Sequence, residues 1–318
     1  MNMGNNKKPL KIVEGIPFYS EDRYWGKAPQ EELERGLTVI EKDGWDEFKL
    51  RYKNRFDYTF DENRADWRFV LPITKDFAVL DAGAGMGRIS IPLARVVKKV
   101  VSLDQSFLRM KFLKMRAEKE NLNNIEVAVG DLFDQPFPDE SFDLIVMNGL
   151  LEWVGKTSRF SDPREAQKAS LNICRRLLKK GGYLYIGIEN RFALAYMQGT
   201  DHSGLRFTSY MPRFLANLYC TARKGEPYNT HTYTKMGYEK LLRDCGFGHV
   251  DFYLAYPGYN LPRMMVPYDN LHALAYVVRT LMGAAGTKRS IARAMSRLPG
   301  APRLYRYLSY SFGIVARK

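Results

Sequence analysis

The stretch Val79–Arg88, VLDAGAGMGR, decides the fold. An apolar run that ends in Asp81 is followed by three alternate glycines, Gly83, Gly85 and Gly87, and then by an amphipathic segment. Glycine tolerates positive φ and lets another molecule approach the backbone closely. A helix that begins just after such a loop presents free N–H groups to an anion. The pattern therefore predicts a strand, a ligand-binding loop and a helix, in that order.

Between Phe77 and Glu189, short apolar runs alternate with longer amphipathic ones, which is typical of a parallel sheet with crossover helices. The predicted strands are FAVLDAG, KKVVSLD, IEVAVGD, FDLIVMN and YLYIGIEN, and two more follow at HVDFYLAYP and SFGIVARK. We therefore predict an α/β fold with a Rossmann-like, doubly wound sheet of seven strands. The sheet is expected to be mostly parallel, with an antiparallel last strand.

The predicted domain organisation places a helical cap before the sheet. Residues 1–75, which hold three of the four tryptophans, form this N-terminal helical cap, and residues 76–318 form the main domain. Two lid-like insertions interrupt the main domain at about 191–233 and 258–310. The cysteines show neither a CxxC pair nor a histidine at ligand spacing, so we predict no disulfide framework and no metal site.

Charge and hydropathy limit the classes of partner and compartment. The net charge is +14, and the stretch 258–318 holds ten Lys or Arg residues against one acid, Asp269. Such a tail suits nucleic acid, a phosphorylated substrate or a membrane surface, although a solvated basic face explains it equally well. No segment reaches the ~18 apolar residues that cross a bilayer, and the N-terminus lacks a signal-peptide pattern, so we expect a cytoplasmic protein.

The spacing of the glycines bears on the ligand. Counted from Gly83, the sixth position is Arg88, so the GxGxxG or GxGxxA pattern of dinucleotide folds is not met. Asp104 ends the second predicted strand, where a carboxylate can bind ribose hydroxyls, and Asp131 follows the third, placed to accept from an adenine amine. An adenosine with a short zwitterionic tail fits this pattern better than a pyrophosphate does. A helix cap is the alternative role for Asp104.

From Val79 to Asn190 the sequence resembles the class I S-adenosylmethionine-dependent methyltransferases. The resemblance lies in VLDAGAGMGR, in VVSLDQS and in VGDLFDQPFPDESFDLIVMNGLLEWV. It implies S-adenosylmethionine as the cofactor. The implied contacts are Asp81, Gly83, Ala84, Gly85 and Gly87 for the methionine part, Asp104 and Gln105 for the ribose, Asp131 and Leu132 for the adenine, and Asn148 and Gly149 near the sulfonium.

A looser resemblance covers most of the chain, from about Pro17 to Tyr268. Stretches such as NGLLEWVG, IENRFALAYMQGTDHSGLRFTSYMPR and THTYTKMGYEKLLRDCGF are similar to a bacterial methyltransferase group associated with glycosyltransferases and cell-surface polysaccharide synthesis. This resemblance implies a glycan acceptor.

Residues for the acceptor are expected on the loops after the fourth and fifth predicted strands and in the first insertion. An alcohol acceptor requires a general base, and the candidate catalytic residues are Glu189, His202 and His231. The candidate substrate-binding residues are Glu152, Trp153, Arg191, Tyr24 and Trp25. Arg191 can clamp an anion or pair with Glu189, and Tyr24 with Trp25 can form an aromatic lid or pack the N-terminal helices.

The sequence thus predicts a methyltransferase that acts on a small-molecule or glycan acceptor, at oxygen. Arginines alternate with apolar residues in TKRSIARAMSRLPGAPRLYRYL, which favours a phosphate-bearing or lipid-linked acceptor and a peripheral contact with an anionic membrane at its inner face. An RNA methyltransferase is the first alternative, but Asn148 precedes Gly-Leu-Leu rather than the run that grips a flipped base. An inactive S-adenosylmethionine-binding scaffold is the second.

Overall fold

The computed structural model describes residues 7–24, 28–157, 160–199, 201–228, 230–281, 298 and 300–318. The chain divides into two compact units. The first unit comprises residues 1–147, 172–184 and 318, and the second comprises residues 148–171 and 185–317. Among the helices in these described ranges, none combines the length and the apolar character needed to span a membrane.

The regular elements follow the predicted alternation. The strands are β1 Lys11–Val13, β2 Ile16–Phe18, β3 Ala78–Ala82, β4 Lys99–Asp104, β5 Ile125–Val129, β6 Phe142–Asn148, β7 Leu178–Glu189, β8 His249–Tyr256, β9 Met264–Pro267 and β10 Ser311–Arg317. The α-helices are α1 Gln30–Arg51, α2 Lys53–Phe56, α3 Ser90–Ala94, α4 Phe107–Lys119, α5 Val154–Thr157, α6 Pro163–Leu177, α7 Arg213–Lys224, α8 Lys235–Asp244, α9 Leu271–Tyr276 and α10 Ala301–Leu308. Short 3₁₀ segments span Asp57–Phe60, Glu62–Val70 and Leu194–Gln198.

The sheet of the first unit is ordered β1-β2-β5-β4-β3-β6, and its strands pair in parallel from β2 to β6. On β3, Leu80 lies opposite Val101 of β4 and Ile145 of β6. All three residues are buried, as expected for a strand with neighbours on both sides and helices on both faces. Because the strands are parallel, their carboxyl ends lie at one edge, where β3 and β4 end near Asp81 and at Asp104.

The N-terminal segment is not only helical, which corrects the prediction of a helical cap over residues 1–75. Strands β1 and β2 form an antiparallel hairpin, and Phe18 of β2 lies opposite Val129 of β5. Glu14 and Gly15 both have positive φ in the two-residue turn, the conformation of a tight hairpin. Each strand is three residues long, too short for an alternation pattern to reveal.

The predicted N-terminal helices do exist, and α1 packs on α4 through aromatic side chains. Trp45 and Phe48 of α1 lie 5.3 and 5.8 Å from Phe112 of α4, measured between ring centroids. Phe48 and Phe112 are fully buried. Aromatic side chains of this size contribute the largest buried areas in a core, so these contacts stabilise the first unit.

In the second unit the strands are ordered β7-β10-β8-β9, with the last five residues of β7 belonging to this unit. Ile314 of β10 lies opposite Phe252 of β8, and Leu254 of β8 lies opposite Val266 of β9, both in antiparallel register. The last strand is therefore antiparallel, as predicted. The described part of the chain has ten strands rather than the predicted seven, because β1, β2 and β9 are only three or four residues long.

The two predicted insertions hold regular structure of their own. Residues 191–233 include the 3₁₀ segment Leu194–Gln198 and helix α7, and residues 258–310 include β9, α9 and α10. Residues 282–297, which carry much of the basic stretch proposed for a membrane contact, lie outside the described residues.

Truncation of Phe112 tests the packing of α1 on α4. We expect F112A to lower the free energy of unfolding by about 3–5 kcal/mol, since it removes a buried ring that contacts several others. The matched control is L50A on α1, where the side chain is 72% exposed and the expected change is within about 0.5 kcal/mol. Urea unfolding followed by tryptophan fluorescence measures both, and equal losses would contradict this packing.

Candidate functional site

The glycine loop after β3 has the backbone that its sequence predicts. Gly83, Gly85 and Gly87 all have positive φ, at 73°, 55° and 85°. A side chain on Gly87 would clash with Leu113, whereas a Cβ on Gly85 would meet nothing within 4 Å. The backbone N–H of Gly83 donates to the Leu103 carbonyl at 2.8 Å. The loop is thus anchored at one end and open at Gly85, where a ligand can approach the backbone.

Asp81, at the end of β3, is 2% exposed. Its Oδ2 accepts a hydrogen bond from the Ser90 hydroxyl at 2.6 Å, and the Ser102 hydroxyl in turn donates to Ser90 at 2.8 Å. Burial raises the pKa of Asp81 to about 6, although the Ser90 hydrogen bond favours the ionised form. A cationic ligand group beside this carboxylate would offset the cost of its burial.

Asp104 joins the glycine loop to helix α4. Its Oδ2 accepts from the Gly85 backbone N–H at 2.9 Å, and its Oδ1 accepts from the Ser106 N–H at 3.0 Å. The guanidinium of Arg109 lies 3.9 Å from Oδ2. Asp104 thus fixes the turn that precedes α4 without capping an N–H group of the helix. Each carboxylate oxygen keeps one further lone pair for a ligand.

Asp131, after β5, organises the loop that follows it. Its Oδ1 accepts from the backbone N–H groups of Phe133 and Asp134 at 2.8 and 2.9 Å. Its Oδ2 accepts from the Gln105 side-chain amide at 3.1 Å, which brings together two predicted cofactor contacts. The neighbouring Leu132 is buried. A buried acid, an open glycine loop and two carboxylates at neighbouring strand ends fit an adenosine ligand with a cationic tail.

Asn148 and Gly149 follow in the second unit, and their placement depends on Gly187. The Gly149 N–H donates to the Gly187 carbonyl at 2.8 Å, and Gly149 has positive φ. A Cβ on Gly187 would clash with the side-chain oxygen of Asn148 and would lie 3.1 Å from the ring of Tyr259. Only glycine at position 187 therefore allows the buried amide of Asn148 to lie beside Tyr259.

Glu189, the last residue of β7, is 2% exposed. Its Oε1 accepts from the Tyr259 hydroxyl at 2.9 Å and lies 3.3 Å from His202 Nε2. The Tyr238 hydroxyl donates to the Glu189 backbone carbonyl at 3.1 Å. Burial by itself would raise the pKa of Glu189, but the hydrogen bond and charge of His202 outweigh it and hold this pKa below its ordinary value.

His202 is carried by a loop that Asp201 fixes from within. The buried Asp201 carboxylate accepts from the backbone N–H and hydroxyl of Ser203, at 3.0 and 2.6 Å, and from the Thr208 hydroxyl. The imidazole ring lies 4.4 Å from the Trp153 ring in an edge contact. Asp201 thus holds the loop, and the carboxylate that contacts the imidazole is the distant Glu189.

The structure brings three predicted residues into one cluster, the carboxylate–histidine cluster of Glu152, Glu189 and His202. One ligand-type atom from each residue lies within 4.8 Å of the other two. Glu152 is fully buried, and the His202 side chain is 22% exposed. Tyr259 and Tyr238, which hold Glu189, were missed from the sequence because tyrosines in loops and helices there have no spacing that distinguishes them.

His231 and Arg191 are not members of this cluster. Burial and the neighbouring Arg213 lower the pKa of His231 to about 4, so its imidazole is a weak base. The Arg191 guanidinium donates to the backbone carbonyls of Ser209 and Met211, at 2.8 and 2.9 Å. Two of its five N–H donors therefore bond to loop carbonyls. No ion pair between Arg191 and Glu189 forms among the described residues, and the anion clamp stays a prediction.

Of the two residues predicted to form an aromatic lid, only Tyr24 is among the described residues. The Tyr24 hydroxyl donates to the Ala28 carbonyl at 2.9 Å, and the Arg109 guanidinium lies 5.5 Å from its ring. Tyr24 also packs against the core that contains Phe48 and Phe112, which favours the packing alternative. Trp25 lies outside the described residues.

Comparison with known proteins gives a family match for the central part of the chain. A family model described as a methyltransferase domain matches residues 80–186. A protein of Methanosphaera stadtmanae described as a probable ribosomal RNA small subunit methyltransferase A is 31% identical over 103 residues, which cover 31% of this chain and 36% of that protein. The chloroplastic 2-methyl-6-phytyl-1,4-hydroquinone methyltransferase 2 of Oryza sativa is 29% identical over 157 residues, which cover 49% and 37%.

These matches concern only part of each relative, since the chain spans little more than a third of the length of both. Among solved structures, phosphoethanolamine N-methyltransferase 2 of Haemonchus contortus, in complex with phosphomonomethylethanolamine and S-adenosylhomocysteine, aligns with a TM-score of 0.48 at 14% identity, over 89% of this chain and 60% of that one. The glycine loop, the acids at the strand ends and the family match agree. Over residues 80–186 the chain is thus similar to a methyltransferase domain.

Proposed function

We propose that this protein transfers a methyl group from S-adenosylmethionine to an oxygen atom of a small-molecule or glycan acceptor. The observation that carries the proposal is the buried Glu189 carboxylate, held by Tyr259 and His202 in the same unit as Asn148. S-adenosylmethionine supplies an electrophilic methyl group when it is bound. The nucleophile must then be held in line with that group in a site that excludes water.

The first unit has the residues that would hold the cofactor. Asp81 would pair with the cationic end of its methionine part, and Asp104 would accept from the ribose hydroxyls while it keeps Gly85 in place. Asp131 would accept from the adenine amine, beside the apolar side chain of Leu132. Each of these side chains is already fixed by hydrogen bonds or burial, so little order has to be gained when the cofactor binds.

The second unit has polar groups suited to an acceptor hydroxyl. Glu189 can accept a hydrogen bond from that hydroxyl and so direct an oxygen lone pair. His202 lies at the same carboxylate, and its role as general base stays a prediction. A nitrogen or carbon acceptor would have less use for a buried carboxylate held by a tyrosine and a histidine, and for this reason we favour oxygen.

A cleft beside His202 supports a glycan that bears an anionic group. Its lining includes Trp153, His202, Lys156 and Lys224. Aromatic faces pack well against sugar rings, and lysines bind phosphate as point charges. A phosphate-bearing or lipid-linked glycan at the inner face of a membrane, with a role in polysaccharide synthesis, agrees with this lining and with the basic C-terminal stretch.

A labelled methyl donor tests the proposed function directly. Cell-extract fractions incubated with the full-length protein and tritiated S-adenosylmethionine should yield a labelled small molecule or glycan, identified by mass spectrometry. Loss of the incorporated label on ribonuclease treatment would support an RNA methyltransferase instead. The ribonuclease control is needed because the chain is similar to a ribosomal RNA methyltransferase. Cofactor binding without any transfer would support an inactive scaffold.

Asp81 predicts a pH dependence of stability and of cofactor binding. Burial raises its pKa from the ordinary 3.8 to about 6 in the folded protein. At a pH between these two values, the folded protein binds a proton that the unfolded chain has lost. The cofactor-free protein should therefore gain about 1–1.5 kcal/mol relative to D81N as the pH falls from 8 to 5. Over the same range its affinity for S-adenosylhomocysteine should fall, since protonated Asp81 lacks the charge that attracts an ammonium group.

The two halves of this prediction are measured separately. Urea unfolding of wild type and D81N at pH 5 and pH 8 gives the stability difference, and isothermal titration gives the affinity. D81N should bind the cofactor weakly at both pH values. A parallel pH profile in D81N would show that another group titrates.

Removal of Asp104 tests the ribose contact. D104A should weaken the binding of S-adenosylhomocysteine by about 1–3 kcal/mol, because a charged hydrogen-bond acceptor is lost. D131A serves as a comparison at the adenine position, and thermal melting of both variants without ligand shows whether the loops remain folded. Unchanged cofactor affinity in a folded D104A would reject the assigned pocket.

Replacement of His202 separates the acceptor site from the cofactor site. H202A should lower the turnover of the acceptor found above by about 100-fold or more, with little change in the affinity for S-adenosylhomocysteine. The matched control is H249A, whose side chain is 72% exposed and far along the chain on β8. Equal turnover in H202A and H249A would remove His202 from the acceptor site.

A further inference from the structure

The carboxylate–histidine cluster has the geometry of a small metal site. His202 Nε2 and Glu189 Oε1 are 3.3 Å apart, close to the ~3 Å that separates two adjacent ligands at 2.0–2.2 Å from one ion. The ligand atoms of Glu152, Glu189 and His202 all lie within 4.8 Å of one another. A modest inward movement of the side chains would complete three bonds to a single ion.

The charge of the cluster favours a cation. Two of its three members are carboxylates, and both are almost completely buried. Burial of a carboxylate is costly unless the charge is compensated. For Glu189, the charged neighbour within the described part of the second unit is the His202 imidazole, which is neutral unless protonated. A divalent cation would compensate the Glu189 carboxylate.

Two buried oxygen atoms point independently to a missing ligand. Glu189 Oε2 has no hydrogen-bond partner among the described residues, although Glu189 is 2% exposed. The hydroxyl of Tyr196 likewise lacks a partner there, and Tyr196 is also 2% exposed. The charge of Glu189 acts on this hydroxyl, so the two oxygen atoms lie in the same part of the second unit. Buried polar atoms of this kind normally have partners.

We propose that Glu152, Glu189 and His202 bind one divalent cation, which holds the oxygen of the methyl acceptor. The inference rests on the proposed function and deepens it. Two carboxylate oxygens and one imidazole nitrogen suit Mn²⁺, Fe²⁺ or Zn²⁺ better than Ca²⁺, which prefers oxygen alone, or Cu⁺, which prefers sulfur. Three protein ligands leave coordination positions open, as in catalytic metal sites.

The cation would take over the activation that the sequence assigns to a general base. A hydroxyl bound to a divalent cation loses its proton more readily than in water. The proton leaves to solvent, the acceptor oxygen forms a bond to the methyl carbon, and the carbon–sulfur bond breaks with its electron pair remaining on sulfur. Tyr259 would keep Glu189 oriented through its hydrogen bond, as outer-shell partners do in metal sites.

Direct metal binding tests the proposal without an acceptor. The full-length protein, stripped with EDTA and passed into metal-free buffer, is titrated with Mn²⁺ and with Zn²⁺ by calorimetry, and bound Mn²⁺ is followed by electron paramagnetic resonance. We expect one saturable site per chain and a thermal midpoint that rises with the cation. E152Q and H202A should each weaken binding at least about tenfold.

Surface variants of the same kinds provide the controls. E165Q and H249A change side chains that are 58% and 72% exposed, and they should bind the cation like wild type. Binding of S-adenosylhomocysteine by E152Q and H202A shows that these variants are folded. Absence of a stoichiometric site, or equal affinity in all four variants, would overturn the proposal and leave His202 as a neighbour of Glu189 only.

Activity separates this proposal from the proposed function. Methyl transfer that proceeds at full rate in EDTA but depends on His202 would overturn the cation site and leave the methyltransferase assignment intact. Stoichiometric Mn²⁺ binding that is lost in E152Q supports the cation site even if no oxygen acceptor is found. Loss of transfer in EDTA, with recovery on addition of Mn²⁺ or Zn²⁺, supports both.

Discussion

The hydrogen bonds of the Asp104 carboxylate are the constraint on which the cofactor region depends. One carboxylate oxygen accepts from Gly85 in the loop after β3, and the other accepts from Ser106 at the start of α4. The loop, the end of β4 and the helix are thereby tied to one side chain. The same carboxylate is the predicted ribose contact. Asp104 would therefore bind the ligand and also hold the glycine loop that the ligand approaches.

In the second unit, by contrast, two buried carboxylates and a histidine lie together in one cluster. Glu152 and Glu189 are carboxylates with almost no exposure, and His202 reaches them from a loop that Asp201 holds rigid. Hydrogen bonds from Tyr259 to the side chain and from Tyr238 to the backbone restrict Glu189 further. A protein that needed only a stable fold would gain little from such an arrangement, because apolar residues of similar volume are often at least as stabilising.

The parallel strands and the acids at their ends could be predicted, because each is marked locally. A strand that leads into alternate glycines can be recognised in a short stretch of sequence. The same holds for carboxylates at or directly after the ends of two further strands. The hairpin β1–β2 and strand β9 could not be predicted in the same way, because three or four residues are too few for a period to appear. Their pairing is fixed by partners distant in the chain.

The sequence identifies the polar residues of the second unit but does not predict which of them contact one another. Glu189 and His202 are recognisable as chemically active residues, yet the contact between them depends on how the loop 190–201 folds. Arg191 is the clearest example, since its guanidinium donates to the carbonyls of Ser209 and Met211 and no sequence pattern predicts these contacts. The absence of a side chain at Gly187 has a wider meaning, because any side chain at this position of β7 would force its neighbours to shift. Even alanine there would push the Asn148 amide and the Tyr259 ring apart, and Tyr259 would carry that displacement to Glu189.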